Sequence, residues 1–178
     1  MSEQPTHTKT YRKLVEGTTI NNTSLLSTDY LNHFNELVML LEMVADMPDM
    51  MEEVKLWHPK TYAEHFADSV FTHKDLAIAA YEHAPIEFKD PFDKTVDAVN
   101  NAILSGLPHL EEIISQGDPE IIRHEAVSFT RNVQQLTERA SAIINGVVHE
   151  EMETQQIVEE EDAEKTVMDQ NAIDSLFN

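Results

Sequence analysis

Cysteine is missing from this 178-residue chain, so a disulfide scaffold, a thiolate metal site and catalysis by a cysteine nucleophile are all excluded. Glycine is scarce as well, at four residues, and the apolar residues fall at helical rather than alternating spacing, which favours an all-α class. Positive charge is the third shortage. Twelve Lys and Arg stand against 33 Asp and Glu, and a net charge of -21 with no local basic cluster repels nucleic acid and anionic membrane surfaces. Proteins with basic faces are the expected partners. No apolar run approaches the length of a membrane span, and residues 1–17 hold no apolar core of a signal peptide, so the reading is a cytoplasmic protein without membrane insertion. What is present is a hydrophobic content of 41% over a length that suits one globular body with tails.

Four segments follow from the pattern. Residues 1–22 are polar and unpatterned and read as a flexible arm. Residues 23–150 read as a helical bundle, 151–167 as an acidic linker, and 168–178 as a partner-binding peptide. Within the bundle, Ser27-Thr28-Asp29 looks like a helix start, and Leu26, Tyr30, Phe34, Leu37, Leu41 and Val44 recur every three or four residues to about Asp46. Pro48 suits the first turn of a second helix, which His58-Pro59 breaks. Two more short helices are expected over residues 59–68 and 72–83, the second opened by Thr72 with Asp75 three residues on. The region 57–92 collects seven aromatics, from Trp57 to Phe92, and such a cluster under short helices reads as core.

The strongest periodicity lies further on. Ile122, Ala126, Phe129, Val133, Leu136, Ala140, Ile143 and Val147 alternate spacings of four and three, a heptad seam that predicts a long straight helix. Phe92, Val96, Val99, Ile103, Leu107, Leu110 and Ile114 repeat nearly as well after an opening at Asp90-Pro91, with a kink expected at Gly106 and Pro108. Gln116-Gly117-Asp118-Pro119 supplies a C-cap glycine, an N-cap aspartate and a proline at the next helix's first position. The prediction is a long antiparallel helix hairpin over about residues 91–147, packed on the shorter N-terminal helices or on the same hairpin of a second chain in a homodimer.

The last ten residues are Asp169-Gln-Asn-Ala-Ile-Asp-Ser-Leu-Phe-Asn178. Ile173, Leu176 and Phe177 fall on one helical stripe, with Asp169 as N-cap. A helix this short does not hold itself together in water, so it is expected to fold on a partner. The segment resembles the response-regulator-binding peptides at the N-terminus of the flagellar switch protein FliM, with the pattern Ser-Gln-x-x-Ile-Asp-Ala-Leu-Leu, and at the C-terminus of the phosphatase CheZ. Gln170, Ile173, Asp174 and Leu176 stand at matching positions, and Phe177 replaces the second Leu. The resemblance implies that Ile173, Leu176 and Phe177 fill a groove on a phosphorylated CheY-like regulator while Asp174 meets a basic side chain. An acidic coil over residues 154–168 would reach on the order of 20 Å and present the peptide at high effective concentration.

The arrangement of hairpin, acidic linker and terminal peptide resembles CheZ as a whole, which raises aspartyl-phosphate hydrolysis. The signature that the resemblance implies, Asp-x-x-x-Gln, is absent here, and so is the Glu-x-x-Asn of the CheC and CheX phosphatases. The nearest substitutes are Glu112 with Gln116, Glu151 with Gln155, Asp29 with Asn32, and above all Asp97 with Asn100 and Asn101 on the hairpin. Among the nine histidines, neither Glu-x-x-His nor His-Glu-x-x-His occurs, and His124 lacks the Lys and Gly expected after a phosphotransfer histidine. No cofactor is called for. The sequence favours an adaptor that binds a regulator, against a structural helical bundle with an acidic tail as the competing class.

Overall fold

A computed structural model describes residues 5–147. Seven α-helices run through them in order: α1 (Pro5–Leu14), α2 (Asn32–Val44), α3 (Met51–Val54), α4 (Tyr62–Asp68), α5 (Lys74–Glu82), α6 (Ile86–Gln116) and α7 (Pro119–Ile144). Short 3-10 turns at Thr28–Leu31 and Pro48–Met50 lead into α2 and α3. The all-α bundle around a long hairpin is the observed architecture.

The hairpin begins earlier than its proline pattern suggests. Helix α6 starts at Ile86, with Pro85 in the cap position and its carbonyl accepting the Phe88 and Lys89 amides at 2.9 Å. Pro91 therefore sits inside the helix. The carbonyl it leaves without a helical donor belongs to Glu87, which is exposed and open to water, while Phe88 and Phe92 one turn apart are buried together. Pro108 is tolerated for the same reason, because Leu104 four residues before it is exposed. The helix runs unbroken through Gly106 and Pro108. At Gly106 the missing side chain has a use, since a Cβ there would collide with the Phe129 ring of α7.

The joint between α6 and α7 follows the expected chemistry. Gly117 takes a left-handed φ of 76° and closes α6 through its amide on the Ile114 carbonyl, and Asp118 accepts the amides of Glu120 and Ile121 at 3.0 and 3.3 Å. Helix α7 packs along α6 on one side and α2 on another, so the N-terminal helices supply the second layer within one chain.

The buried stripe of α7 differs from the predicted seam. It runs through Ile122, Ala126, Thr130, Val133, Thr137, Ala140, Ile143 and Ile144, whereas Phe129 and Leu136 are only half-buried. Thr130 and Thr137 enter the core because each hydroxyl donates to the carbonyl four residues back, Ala126 at 2.7 Å and Val133 at 2.8 Å. Their polar atom is satisfied locally, and a methyl faces the interior.

Residues 5–22 carry more structure than the unpatterned arm expected there. Helix α1 is pinned by His83 at the end of α5, whose ring stacks on Tyr11 at 4.5 Å and lies 5.4 Å from His7. Val15 and Ile20 are buried. A tight loop then returns the chain: the Asn21 amide donates to the Leu26 carbonyl at 2.8 Å, the Leu25 amide donates to the Asn21 carbonyl at 2.8 Å, and Asn21 Oδ1 accepts the amides of Thr23 and Ser24. Leu25 holds a φ of 61° with its side chain fully buried, and Ser24 Oγ donates to the Ile144 carbonyl at 2.5 Å, fastening this loop to the end of α7.

Candidate functional site

A concavity lies where the aromatic region meets α6. Its entry is fixed by Thr61, which caps α4 in a reciprocal box: Glu64 donates its amide to Thr61 Oγ1, and Thr61 donates its own to Glu64 Oε2 at 2.8 Å. The Thr61-x-x-Glu64 spacing carries this box in the sequence, but the sequence reading passed over it and looked to Thr72 instead. The Thr72 and Asp75 pair has no such role, since α5 starts without a side-chain cap.

Helix α4 turned this way brings Tyr62 over α6. Tyr62 stacks on Tyr81 at 4.6 Å and meets Tyr30 and Phe92 at 5.3 and 6.0 Å. Its hydroxyl accepts the buried Ser27 amide at 2.9 Å, and Tyr30 donates to the Lys60 carbonyl at 2.8 Å. Of the seven aromatics read as core, Tyr62, Phe66, Phe88 and Phe92 are buried, while Trp57, Phe71 and Tyr81 are half-buried at the rim, beside a recess of about 280 Å³. Tyr30, Tyr62, Tyr81 and Phe92 form its apolar wall, and Asp93, Asp97 and Asn100 line it from α6.

The charges of the recess are mostly matched. Lys60 pairs with Asp68 at 3.1 Å. Asp93 accepts Tyr81 Oη at 2.6 Å and Lys89 Nζ at 2.9 Å, and the same ammonium lies 4.2 Å from the Tyr81 ring centre. Glu64 is held by its capping amide. Asp97 is exposed and makes no hydrogen bond or ion pair among the described residues. Asn100 Oδ1 is buried with no hydrogen-bond partner. Burial drives the Tyr30 phenol well above its ordinary range, and the neighbouring Tyr81, Asp93, Asp97 and Glu64 push it the same way. The Tyr62 phenol is raised chiefly by burial.

Of the three residues proposed on the hairpin, the structure brings Asp97 and Asn100 to one recess and leaves Asn101 exposed outside its lining. Asp29 Oδ2 accepts the hydroxyls of Thr19 and Ser27, at 2.5 and 2.8 Å, which ties this carboxylate to the loop before α2. Asn32 instead faces a second, wider concavity of about 520 Å³ between α2 and α7, walled by polar side chains such as Asn35, Gln134 and Glu138. No group of three His, Asp or Glu side chains among the described residues is placed to hold a metal. His33 is instead structural: it is buried, its Nε2 lies 2.7 Å from the His58 carbonyl, and its ring stacks on Trp57 at 4.8 Å. Burial lowers the pKa of both His33 and His65, the latter set edge-on to Tyr30.

Gln170, Ile173, Asp174, Leu176 and Phe177 lie outside the described residues, as does the pair Glu151 and Gln155. Comparison with known proteins returned nothing: no family model, no curated protein and no solved structure matches this chain. No helix among the described residues is long and apolar enough to cross a membrane.

Proposed function

We propose that this chain is a cytoplasmic adaptor of the chemotaxis or flagellar signalling system, which captures a phosphorylated CheY-like response regulator through Gln170, Ile173, Asp174, Leu176 and Phe177. The observation that carries the reading is the terminal sequence itself. It combines an N-cap, an apolar i, i+3, i+4 stripe and a central aspartate within ten residues, after an acidic run that suits a tether. Burying three such side chains in a groove contributes about 1.5–3 kcal/mol each, which works against the cost of ordering the decapeptide on its partner.

The recess supports an adaptor rather than a divergent phosphatase. A phosphoryl dianion approaching Asp97 meets an unneutralised carboxylate, and the Asn100 carbonyl oxygen is buried rather than presented to an incoming water. Autodephosphorylation of the regulator is therefore expected to proceed at the same rate with and without the protein, and Asn100→Ala and Asn101→Ala are expected to leave it unchanged. The binding test is a titration of the full chain against phosphoryl-mimic-loaded regulator. Ile173→Ala removes about 2 kcal/mol of buried apolar surface and weakens binding roughly thirtyfold. Binding indifferent to that substitution would leave the structural-bundle class in its place.

A further inference from the structure

We infer that the outward face of α2 is a docking site for a basic amphipathic helix of a partner protein. The inference stands independently of the terminal peptide. It begins with a clustering: five of the chain's eight methionines fall at positions 39, 43, 47, 50 and 51. Met51 is buried and Met50 half-buried, whereas Met39, Met43 and Met47 are exposed, by 64%, 40% and 49%. These three recur every four residues, which sets them in one stripe along the helix. The Met47 amide donates to the Met43 carbonyl at 2.8 Å and carries the helical spacing past the end of α2. Other exposed large apolar residues, such as Leu56, Val70 and Leu104, stand singly along the chain.

Folding gives no reason for the stripe. Methionine ranks with glutamine, glutamate and lysine as a helix former, so α2 would form as readily with a polar residue at each position. The core takes Phe34, Leu37, Leu41 and Val44 from the opposite face of α2 and leaves the three thioethers in water. Flexible, polarisable methionine side chains mould themselves to an apolar partner, which is the use such a surface has. From Met39 to Met47 the stripe runs about 12 Å, the span of three apolar residues at helical spacing on an incoming helix.

The surroundings specify the charge of that helix. No Lys or Arg occurs between Lys13 and Lys55, whereas Glu36, Glu42, Asp46, Asp49, Glu52 and Glu53 cluster from α2 to α3. Asp46 is met by Arg123 and Glu52 by Lys55. Glu36, Asp49 and Glu53 are exposed and make no hydrogen bond or ion pair among the described residues. A helix laying its apolar face on the methionines sets its flanking Lys and Arg against these carboxylates. The same charges oppose the other occupants within reach. Residues 168–178 carry Asp169 and Asp174 after an acidic run, and a second copy would bring the same carboxylates and a net charge of -21 against their own image.

The test is calorimetric titration of the full chain, at physiological salt, with a synthetic Leu-Lys peptide patterned as an amphipathic helix, read in parallel by NMR of methyl-labelled methionine. A scrambled peptide of the same composition, without an apolar face, and a Leu-Glu peptide of the same pattern are the counterparts. Saturable binding of the Leu-Lys peptide is expected, with shifts of the Met39, Met43 and Met47 methyl resonances, and binding of the scrambled peptide at least about tenfold weaker. Met39→Gln combined with Met43→Gln, at exposed positions where glutamine keeps the helix, is expected to weaken binding about tenfold or more. Val70→Gln, exposed elsewhere, is expected to leave it unchanged. Absence of saturable binding would overturn the assignment, as would equal binding of either counterpart, or binding that the double substitution does not alter. Two further outcomes would overturn it by giving the face another occupant: shifts of the Met39 and Met43 methyls on deleting residues 168–178, or self-association of the free protein that the double substitution abolishes.

Discussion

Tyr62 is the residue on which the aromatic region turns. It stacks on Tyr81, and its hydroxyl accepts the buried Ser27 amide. Tyr62→Phe keeps the ring and strands that amide, so unfolding free energy should fall by about 1–3 kcal/mol, read from a denaturant midpoint at constant slope. The aromatic spacing announced a core in the sequence, but the Ser27 bond spans 35 residues and left no local trace. His33 and His65 give a second prediction. Burial lowers both below the ordinary 6.5, so the folded state binds fewer protons than the unfolded chain. Their contribution is present above pH 6.5 and is lost as pH falls below it. Stability should decline between pH 7 and 5, and His33→Asn should flatten that decline while lowering stability at pH 7.

At the scale of elements, the hairpin joint was legible because glycine, aspartate and proline each have one strong use at a helix end. Asp118→Ala removes the acceptor for the Glu120 and Ile121 amides and should cost about 1 kcal/mol, with the loss visible as fraying at the start of α7 by amide exchange. The α7 face was only partly legible. A heptad of apolar residues pointed to Phe129 and Leu136, yet burial follows Thr130 and Thr137, whose hydroxyls are concealed by bonds within their own helix. Because the Ala126 carbonyl keeps its helical amide donor, Thr130→Val should be neutral or stabilising by up to about 1 kcal/mol. A loss larger than that would show that the hydroxyl has a further partner. Helix α1 and the loop after it escaped the periodicity reading because Val15, Ile20 and Leu25 are buried at irregular intervals. Their order comes from an asparagine-centred turn and a stack on His83, neither of which repeats.

At the scale of the whole molecule, the fold of the body is carried by α2, α6 and α7, and recognition is the role proposed for the terminal peptide. The two are distinguishable by experiment. Deleting residues 168–178 is expected to leave the thermal unfolding midpoint unchanged and to abolish regulator capture. A fall in the midpoint would show that the segment belongs to the folded body. The recess beside α6 was only half visible beforehand: Asp97 and Asn100 stand at a readable spacing on one helix, but the tyrosines around them come from positions 30, 62 and 81, far apart in the chain.

The measurement that bears most directly on the central claim is the affinity of a labelled peptide, residues 164–178, for CheY-type regulators with and without beryllofluoride. The account predicts saturable binding that tightens with the phosphoryl mimic and weakens about thirtyfold with Ile173→Ala. Absence of binding to any such regulator in either state would contradict it.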